Sequence, residues 1–91
     1  MRIDKFLKVS RIIKRRETAK DLCDDKDVMI NGKIAKPMTE VNPGDTLVVM
    51  IGRHKLTVKI LAIRTFAKKE DAQGMYEIIS DEIIGKTPEA M

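Results

Sequence analysis

Basic side chains dominate the first twenty residues of this 91-residue chain. The segment holds two carboxylates, Asp4 and Glu17, against eight cations: Arg2, Lys5, Lys8, Arg11, Lys14, Arg15, Arg16 and Lys20. Its net charge is +6, and because the whole chain carries +4, the other 71 residues sum to −2. Positive charge gathered at one end favours a polyanionic partner, with nucleic acid ahead of an anionic membrane surface.

Three consecutive cations, Lys14, Arg15 and Arg16, stand where a second helix is predicted to begin. The helix dipole prefers carboxylates at that end, yet the acidic run at residues 24–27 lies at the opposite end. A bound phosphate would remove the conflict, since it accepts hydrogen bonds from helix N–H groups and guanidinium groups together. Ordinary solvated charges are the alternative. We favour phosphate binding because Lys5 and Lys8, one turn apart on the preceding helix, can extend the same basic surface.

Aromatic content indicates which kind of RNA such a surface would bind. The chain has three aromatic residues, Phe6, Phe66 and Tyr76, and no tryptophan. Phe6 and Tyr76 fall on apolar stripes, which assigns them to the core. Proteins that grip unstacked single strands use several exposed aromatic platforms. We therefore expect a folded RNA, recognised through its shape and backbone charge.

No pattern typical of a catalytic or metal site is evident. Cys23 falls on a predicted buried stripe without a companion His or Cys, which favours a structural role over a nucleophile. His54, the single histidine, has no second ligand near it in sequence. The carboxylates at residues 24–27 lack the other ligands and the glycine of a calcium loop. We expect no enzymatic activity, no metal and no cofactor.

Hydrophobic spacing and turn residues predict the elements that carry the basic residues. Apolar side chains on one face predict a helix over 3–10, and a second helix is predicted over about 15–24. Asn31–Gly32 predicts a type I′ hairpin turn, and Pro43–Gly44–Asp45 predicts a second turn. The predicted strands cover 28–30, 33–35, 46–51 and 56 to about 64; a C-terminal helix is predicted over 68–79, and a weakly patterned tail follows from residue 80.

This order of elements predicts an α+β fold in which two N-terminal helices pack on a small antiparallel sheet, with a C-terminal helix. The length suits one domain, with the helices and sheet in residues 1–64 and the C-terminal helix and tail in residues 65–91. No apolar run approaches the roughly 18 residues of a membrane span. One cysteine and no secretory signal favour the cytoplasm.

Four short motifs, in this order, resemble the S-four RNA-binding domain family. They are RIDKFL at 2–7, RETA at 16–19, VMING at 28–32 and PGD at 43–45, and the resemblance covers about residues 1–51. With KVSR at 8–11 and KRR at 14–16, the whole chain is similar to the stand-alone bacterial members. These include P-site tRNA stabilising factors of ribosome-associated quality control (RQC) and, as a relative, the fifteen-kilodalton heat-shock protein.

The resemblance implies the alpha-L fold of that family and binding, as a monomer, to obstructed large ribosomal subunits that carry a nascent chain on tRNA. There the protein would contact an rRNA hairpin and the peptidyl-tRNA and would aid addition of a C-terminal alanine tail. Other quality-control factors on the ribosome are further candidate partners. On matching positions, the resemblance implies RNA contacts by Arg2, Lys5, Lys8, Arg11, Lys14, Arg15 and Arg16. Asp4 also matches, and our hypothesis is that it orients Arg16 or another nearby arginine.

Two positions depart from the family pattern. Many members have a helix-capping serine at the position of Arg15, and many have glycine at the position of Lys26. Both departures concern the ends of the second helix.

Three other functions stay open. They are the ribosome-recycling role of the heat-shock relative, an RNA-binding appendage of an RNA-modifying enzyme, and attachment to a membrane surface through the first helix. The chain is short for a catalytic domain, and the apolar stripe of the first helix lacks tryptophan anchors.

Overall fold

The computed structural model describes residues 1–65 and 68–83, which form an α+β fold. The strands lie in the order β2-β1-β3-β4-β5, and every neighbouring pair is antiparallel. None of the helices in these two ranges is long and apolar enough to cross a membrane. In chain order the elements are α1 (Ile3–Val9), α2 (Arg16–Asp24), β1 (Val28–Ile30), β2 (Lys33–Ile34), β3 (Thr46–Ile51), β4 (His54–Ile60), α3 (Lys69–Ala72) and β5 (Tyr76–Ile83).

The two N-terminal helices share one hydrophobic core with the sheet. In α1, the side chains of Ile3, Phe6 and Leu7 are fully buried, and burial of each stabilises the fold by about 1.5–3 kcal/mol. Along β3, buried side chains alternate with half-buried ones, as expected for a sheet with one face on a core. The core also contains Ala19 and Cys23 of α2 and the strand residues Val28, Leu47, Val49, Val58 and Ile60.

The start of α1 is fixed by the segment between β2 and β3. The N–H of Ile3 donates to the carbonyl of Thr39 at 2.7 Å, and the N–H of Val41 donates to the carbonyl of Met1 at 3.0 Å. Arg2 and Glu40 form an antiparallel bridge between these bonds. This pairing holds the first charged residues of the chain in fixed positions relative to the sheet.

The predicted hairpin at Asn31–Gly32 is confirmed. Asn31 and Gly32 have φ angles of 50° and 86°, the positive values that a type I′ turn requires at both central positions. The Asn31 side chain adds a second function, because its Oδ1 accepts from the N–H of Thr46 at 2.9 Å and its Nδ2 donates to Asp45 at 3.0 Å. The turn between β1 and β2 is thereby joined to the start of β3.

α2 ends in a left-handed residue at Lys26, the position where many members of the resembling family have glycine. Lys26 has φ 65° and donates its N–H to the carbonyl of Cys23 at 3.0 Å, while the N–H of Asp27 reaches the carbonyl of Leu22 at 2.8 Å. These two bonds form a Schellman motif, in which glycine is preferred at the left-handed position. A lysine there is strained, since its Cβ crowds the backbone.

The C-terminal helix is a single turn, and the prediction of helix is wrong from Tyr76 onward. Residues 76–83 form strand β5, which pairs with β4 from Tyr76 opposite Ile60 to Ile83 opposite His54. Two causes override the helical spacing: α3 closes in a turn at Gly74, and the isoleucine-rich segment after it satisfies the backbone groups of β4. β4 also ends at Ile60, before the predicted Arg64. Phe66 and residues 84–91 of the predicted tail lie outside the described residues.

Candidate nucleic-acid interface

Five of the seven cations predicted to contact RNA line one open groove. α1, the start of α2 and the connection between them form it, and its volume is about 780 Å³. The uncharged part of the lining consists of Val9, Ile12, Ile13 and Thr65. No carboxylate of residues 1–65 or 68–83 lines the groove. The cations of this groove, hereafter the cationic groove, are Lys5, Lys8, Arg11, Lys14 and Arg16.

The charges of the cationic groove are largely uncompensated by the protein itself. Within residues 1–65 and 68–83, only Arg16 of the five forms an ion pair with a carboxylate. Lys8, Arg11, Lys14 and Arg16 are exposed to solvent and Lys5 is half-buried. Like charges around one concavity focus a positive potential there, which attracts polyanions.

Asp4 is the single buried carboxylate among the described residues, with 2% of its surface exposed. Its Oδ2 accepts from Arg2 Nη2 at 3.1 Å, and its Oδ1 accepts from Arg16 Nη2 at 3.4 Å and from the N–H of Lys5 at 2.7 Å. Asp4 therefore links the first turn of α1 to the first turn of α2. The two arginine side chains remain 49% and 46% exposed, so their other donors can reach a ligand.

The connection between α1 and α2 places two cations, Arg11 and Lys14, in the lining of the cationic groove. Arg11 follows α1 with φ 65°, an uncommon conformation for a residue with a Cβ, and its N–H donates to the carbonyl of Lys8 at 3.0 Å. Ile13 is buried and donates its N–H to the carbonyl of Leu7 at 2.9 Å. Because Ile13 anchors the connection in the core, Arg11 and Lys14 on either side of it stay at the surface.

The start of α2 lacks a capping side chain. Arg15 occupies the cap position in an extended conformation, φ −124° and ψ 139°, and makes no side-chain hydrogen bond to the helix. A serine there would accept a hydrogen bond from an N–H of the first turn. The departure from the family pattern thus exchanges a cap for a further positive charge.

Two of the predicted residues lie outside the cationic groove. Arg2 is on the other side of the Asp4 carboxylate, where it lines a second hollow. Arg15 is exposed and lines neither concavity. The structure therefore brings together Lys5, Lys8, Arg11, Lys14 and Arg16, connects Arg2 to them through Asp4, and leaves Arg15 separate.

Sequence reasoning missed residues that the fold adds to these surfaces. Thr65, which follows β4, reaches the cationic groove, and Lys36 reaches the second hollow beside Lys20 and Lys26. Lys20 lies one helical turn after Arg16, so helical spacing could have found it. Lys36 and Thr65 come from loops that only the tertiary fold brings close, and no local pattern signals them.

Cys23 and His54 lie away from the cationic groove. Burial of the Cys23 thiol, reinforced by the negative charges of Asp4 and Asp24, raises its pKa from 9.0 to about 11, so it is protonated at neutral pH. His54 Nδ1 lies 3.0 Å from Asp81 across β4 and β5. Among the described residues, no three His, Cys, Asp or Glu side chains converge as metal ligands would.

Comparisons with known proteins agree with this geometry. Residues 1–47 match the model of the S4 domain. The chain is 46% identical over 86 residues to the RQC P-site tRNA stabilizing factor of Bacillus subtilis, covering 94% of this chain and all of the relative. It is 49% identical over 81 residues to the factor of the same name from Streptococcus pneumoniae, covering 89% and 92% of the two chains. Heat shock protein 15 of Vibrio cholerae, solved as a trimer, superposes with a TM-score of 0.82 at 28% identity over 88% of this chain and 82% of that one. This chain belongs to the S4 domain family, in the branch formed by the RQC P-site tRNA stabilizing factors.

Proposed function

We propose that this protein is an RNA-binding factor of ribosome-associated quality control, which stabilises P-site tRNA on obstructed large ribosomal subunits. It would contact an rRNA hairpin and the peptidyl-tRNA at once while the stalled nascent chain receives its C-terminal alanine tail. The observation that carries the proposal is the cationic groove, whose described lining has five cations and no carboxylate, in a chain that its curated relatives match almost from end to end.

The mechanism that we propose is electrostatic anchoring. Phosphate groups of a folded RNA would lie in the cationic groove, where Arg11 and Arg16 can each donate two hydrogen bonds to one phosphate and the lysines act as point charges. Asp4 would act as a positioning residue, since it fixes Arg16 on one side and Arg2 on the other. Two RNA elements held by arginines on either side of one carboxylate would keep a fixed relative geometry.

The proposal assigns no catalytic step to the chain. Cys23, the one thiol, is buried and its raised pKa keeps it protonated, so it is a poor nucleophile. If the purified protein alone converted RNA or a nucleotide into a detectable product, this assignment would be contradicted.

Co-sedimentation with purified large ribosomal subunits tests the proposal. Subunits with and without peptidyl-tRNA are compared, and we expect tighter binding when the tRNA is present. The double variant Lys8→Glu with Lys14→Glu should lose binding, because each reversal replaces attraction to phosphate by repulsion. Arg53→Glu, which changes an exposed cation in the β3–β4 turn away from both hollows, serves as the control and should bind like the original chain. Equal binding by all three proteins would contradict the proposal.

A second candidate is the ribosome-recycling role of the heat-shock relative, which the superposition on heat shock protein 15 favours. Affinity purification from cells, followed by imaging of the particles that accompany the protein, separates the two. Large subunits with a P-site tRNA and an alanine-tailed nascent chain support quality control. Particles without such a tail would support recycling.

A further inference from the structure

A second hollow, of about 460 Å³, lies beside the end of α2 and the loop that follows β2. Within the part of the chain that the structure describes, four cations and one carboxylate, Asp24, line it. They come from four different parts of the chain: Arg2 precedes α1, Lys20 is in α2, Lys26 follows α2, and Lys36 follows β2. Their convergence gives the second hollow a positive rim.

The rest of the described lining is apolar and consists of aliphatic side chains and the buried Cys23. Ile34 and Met38 line it with 56% and 68% of their surfaces exposed, and Ala35 and Pro37 lie between them in the chain. Contiguous exposed apolar surface with a polar rim is typical of an interaction site. Among the described residues, no aromatic side chain lines the hollow, so this lining offers no platform on which an RNA base could stack.

The position of β2 adds a backbone feature to this surface. β2 is an edge strand of the sheet, and within the described residues only β1 pairs with it, through Met29 opposite Ile34 and Ile30 opposite Lys33. An edge strand can accept a further segment of polypeptide along its outer side. The phosphate groups of an RNA backbone could pair with the cations of the hollow, but they would contact neither its aliphatic side chains nor the free edge of β2.

We infer that the second hollow binds an acidic protein segment that carries aliphatic side chains. Glutamates or aspartates of the segment would pair with Lys20, Lys26 and Lys36, and its aliphatic side chains would cover Ile34 and Met38. The positive rim favours a negatively charged partner, and the aliphatic lining favours a protein over RNA. The inference goes beyond the proposed RNA-binding function, because it gives the protein a second surface through which another protein can be held beside the RNA.

The test uses the full chain and a fluorescent synthetic peptide in which glutamates surround two leucines, with anisotropy as the readout. The double variant Ile34→Ser with Met38→Ser removes the aliphatic contact from side chains that the fold does not bury. We expect it to weaken peptide binding by about tenfold or more, the effect of a central interface contact. The matched control, Ile78→Ser with Ile79→Ser, changes two similarly exposed isoleucines on β5 and should leave the affinity unchanged. A peptide with glutamine in place of glutamate should bind weakly to the original chain and to both double variants.

Four outcomes would overturn the inference. They are equal peptide affinity of the hollow variant and its control, equal affinity for the glutamate and glutamine peptides, loss of large-subunit binding in the hollow variant, and a self-association that this variant abolishes. The third would assign the hollow to RNA and the fourth to a second copy of the chain. Failure of the proposed function is separate, since it would appear as unchanged subunit binding in the cationic-groove variants.

Discussion

The carboxylate of Asp4 offers the sharpest test of how the two helices are joined. Asp4→Asn keeps the shape of the side chain but removes its charge, which weakens the contacts to Arg2 at 3.1 Å and Arg16 at 3.4 Å. Buried charge-assisted hydrogen bonds are worth about 1.5–3 kcal/mol each, but both guanidinium groups are about half exposed, so a value of about 0.5–1 kcal/mol each is appropriate. The expected loss in the free energy of unfolding is therefore about 1–2 kcal/mol.

Urea denaturation followed by circular dichroism measures this loss. For a domain of this size each kcal/mol corresponds to about 4–8 °C in Tm. A double-mutant cycle with Arg16→Gln isolates the contact between the helices, and we expect a coupling energy of about 0.5–1 kcal/mol. If Asp4→Asn and Arg16→Gln act additively, the carboxylate does not hold Arg16, and the positioning role that we give it is refuted.

The other predictions concern Cys23 and the end of α2. Because the pKa of the Cys23 thiol is raised from 9.0 to about 11 in the folded protein, the unfolded chain loses its proton first as pH rises. The stability that the protonated thiol contributes is thus complete below pH 9 and is lost between pH 9 and 11. The loss is at most about 2–3 kcal/mol, and Cys23→Ala should abolish it in denaturation curves recorded across that range. Alkylation of Cys23 by iodoacetamide at pH 8 should be far slower in the native protein than in urea, and equal rates would contradict its burial. Lys26→Gly should raise the free energy of unfolding by about 0.5–1 kcal/mol, because glycine adopts the left-handed conformation at φ 65° without strain. The control Lys20→Gly, inside α2, should instead lower it by about 1 kcal/mol; destabilisation by both would show that Lys26 is not strained.

Local patterns explain which parts of the fold could be predicted. The apolar face of α1 and the Asn31–Gly32 turn depend on neighbours in sequence, and both are observed with nearly the predicted bounds. β5 could not be found in this way, because Ala72, Met75, Tyr76 and Ile79 satisfy a helical period by coincidence. Ile79 is 55% exposed, and what decides its conformation is the pairing of β5 with β4.

The same distinction holds for the cationic groove and the second hollow. Charge asymmetry alone locates the basic end of the chain, and the family motifs select Asp4. The left-handed turn at Arg11, which sets how the connection folds back, has no signature in a sequence that lacks glycine there. Lys36 reaches the second hollow only because β2 pairs with β1 and the chain then passes beside α2. Residue spacing in the sequence cannot predict contacts of this kind, because they depend on the tertiary fold.

The salt dependence of binding to purified large ribosomal subunits tests the central claim most directly. If each of the five cations of the cationic groove neutralises one phosphate, the logarithm of the binding constant should fall against the logarithm of salt concentration with a slope of about −4 to −5. Lys8→Gln with Lys14→Gln should reduce that slope by about 2, and Arg53→Gln should leave it unchanged. A shallow slope, or one that the groove variant and the control change equally, would contradict binding through these five side chains.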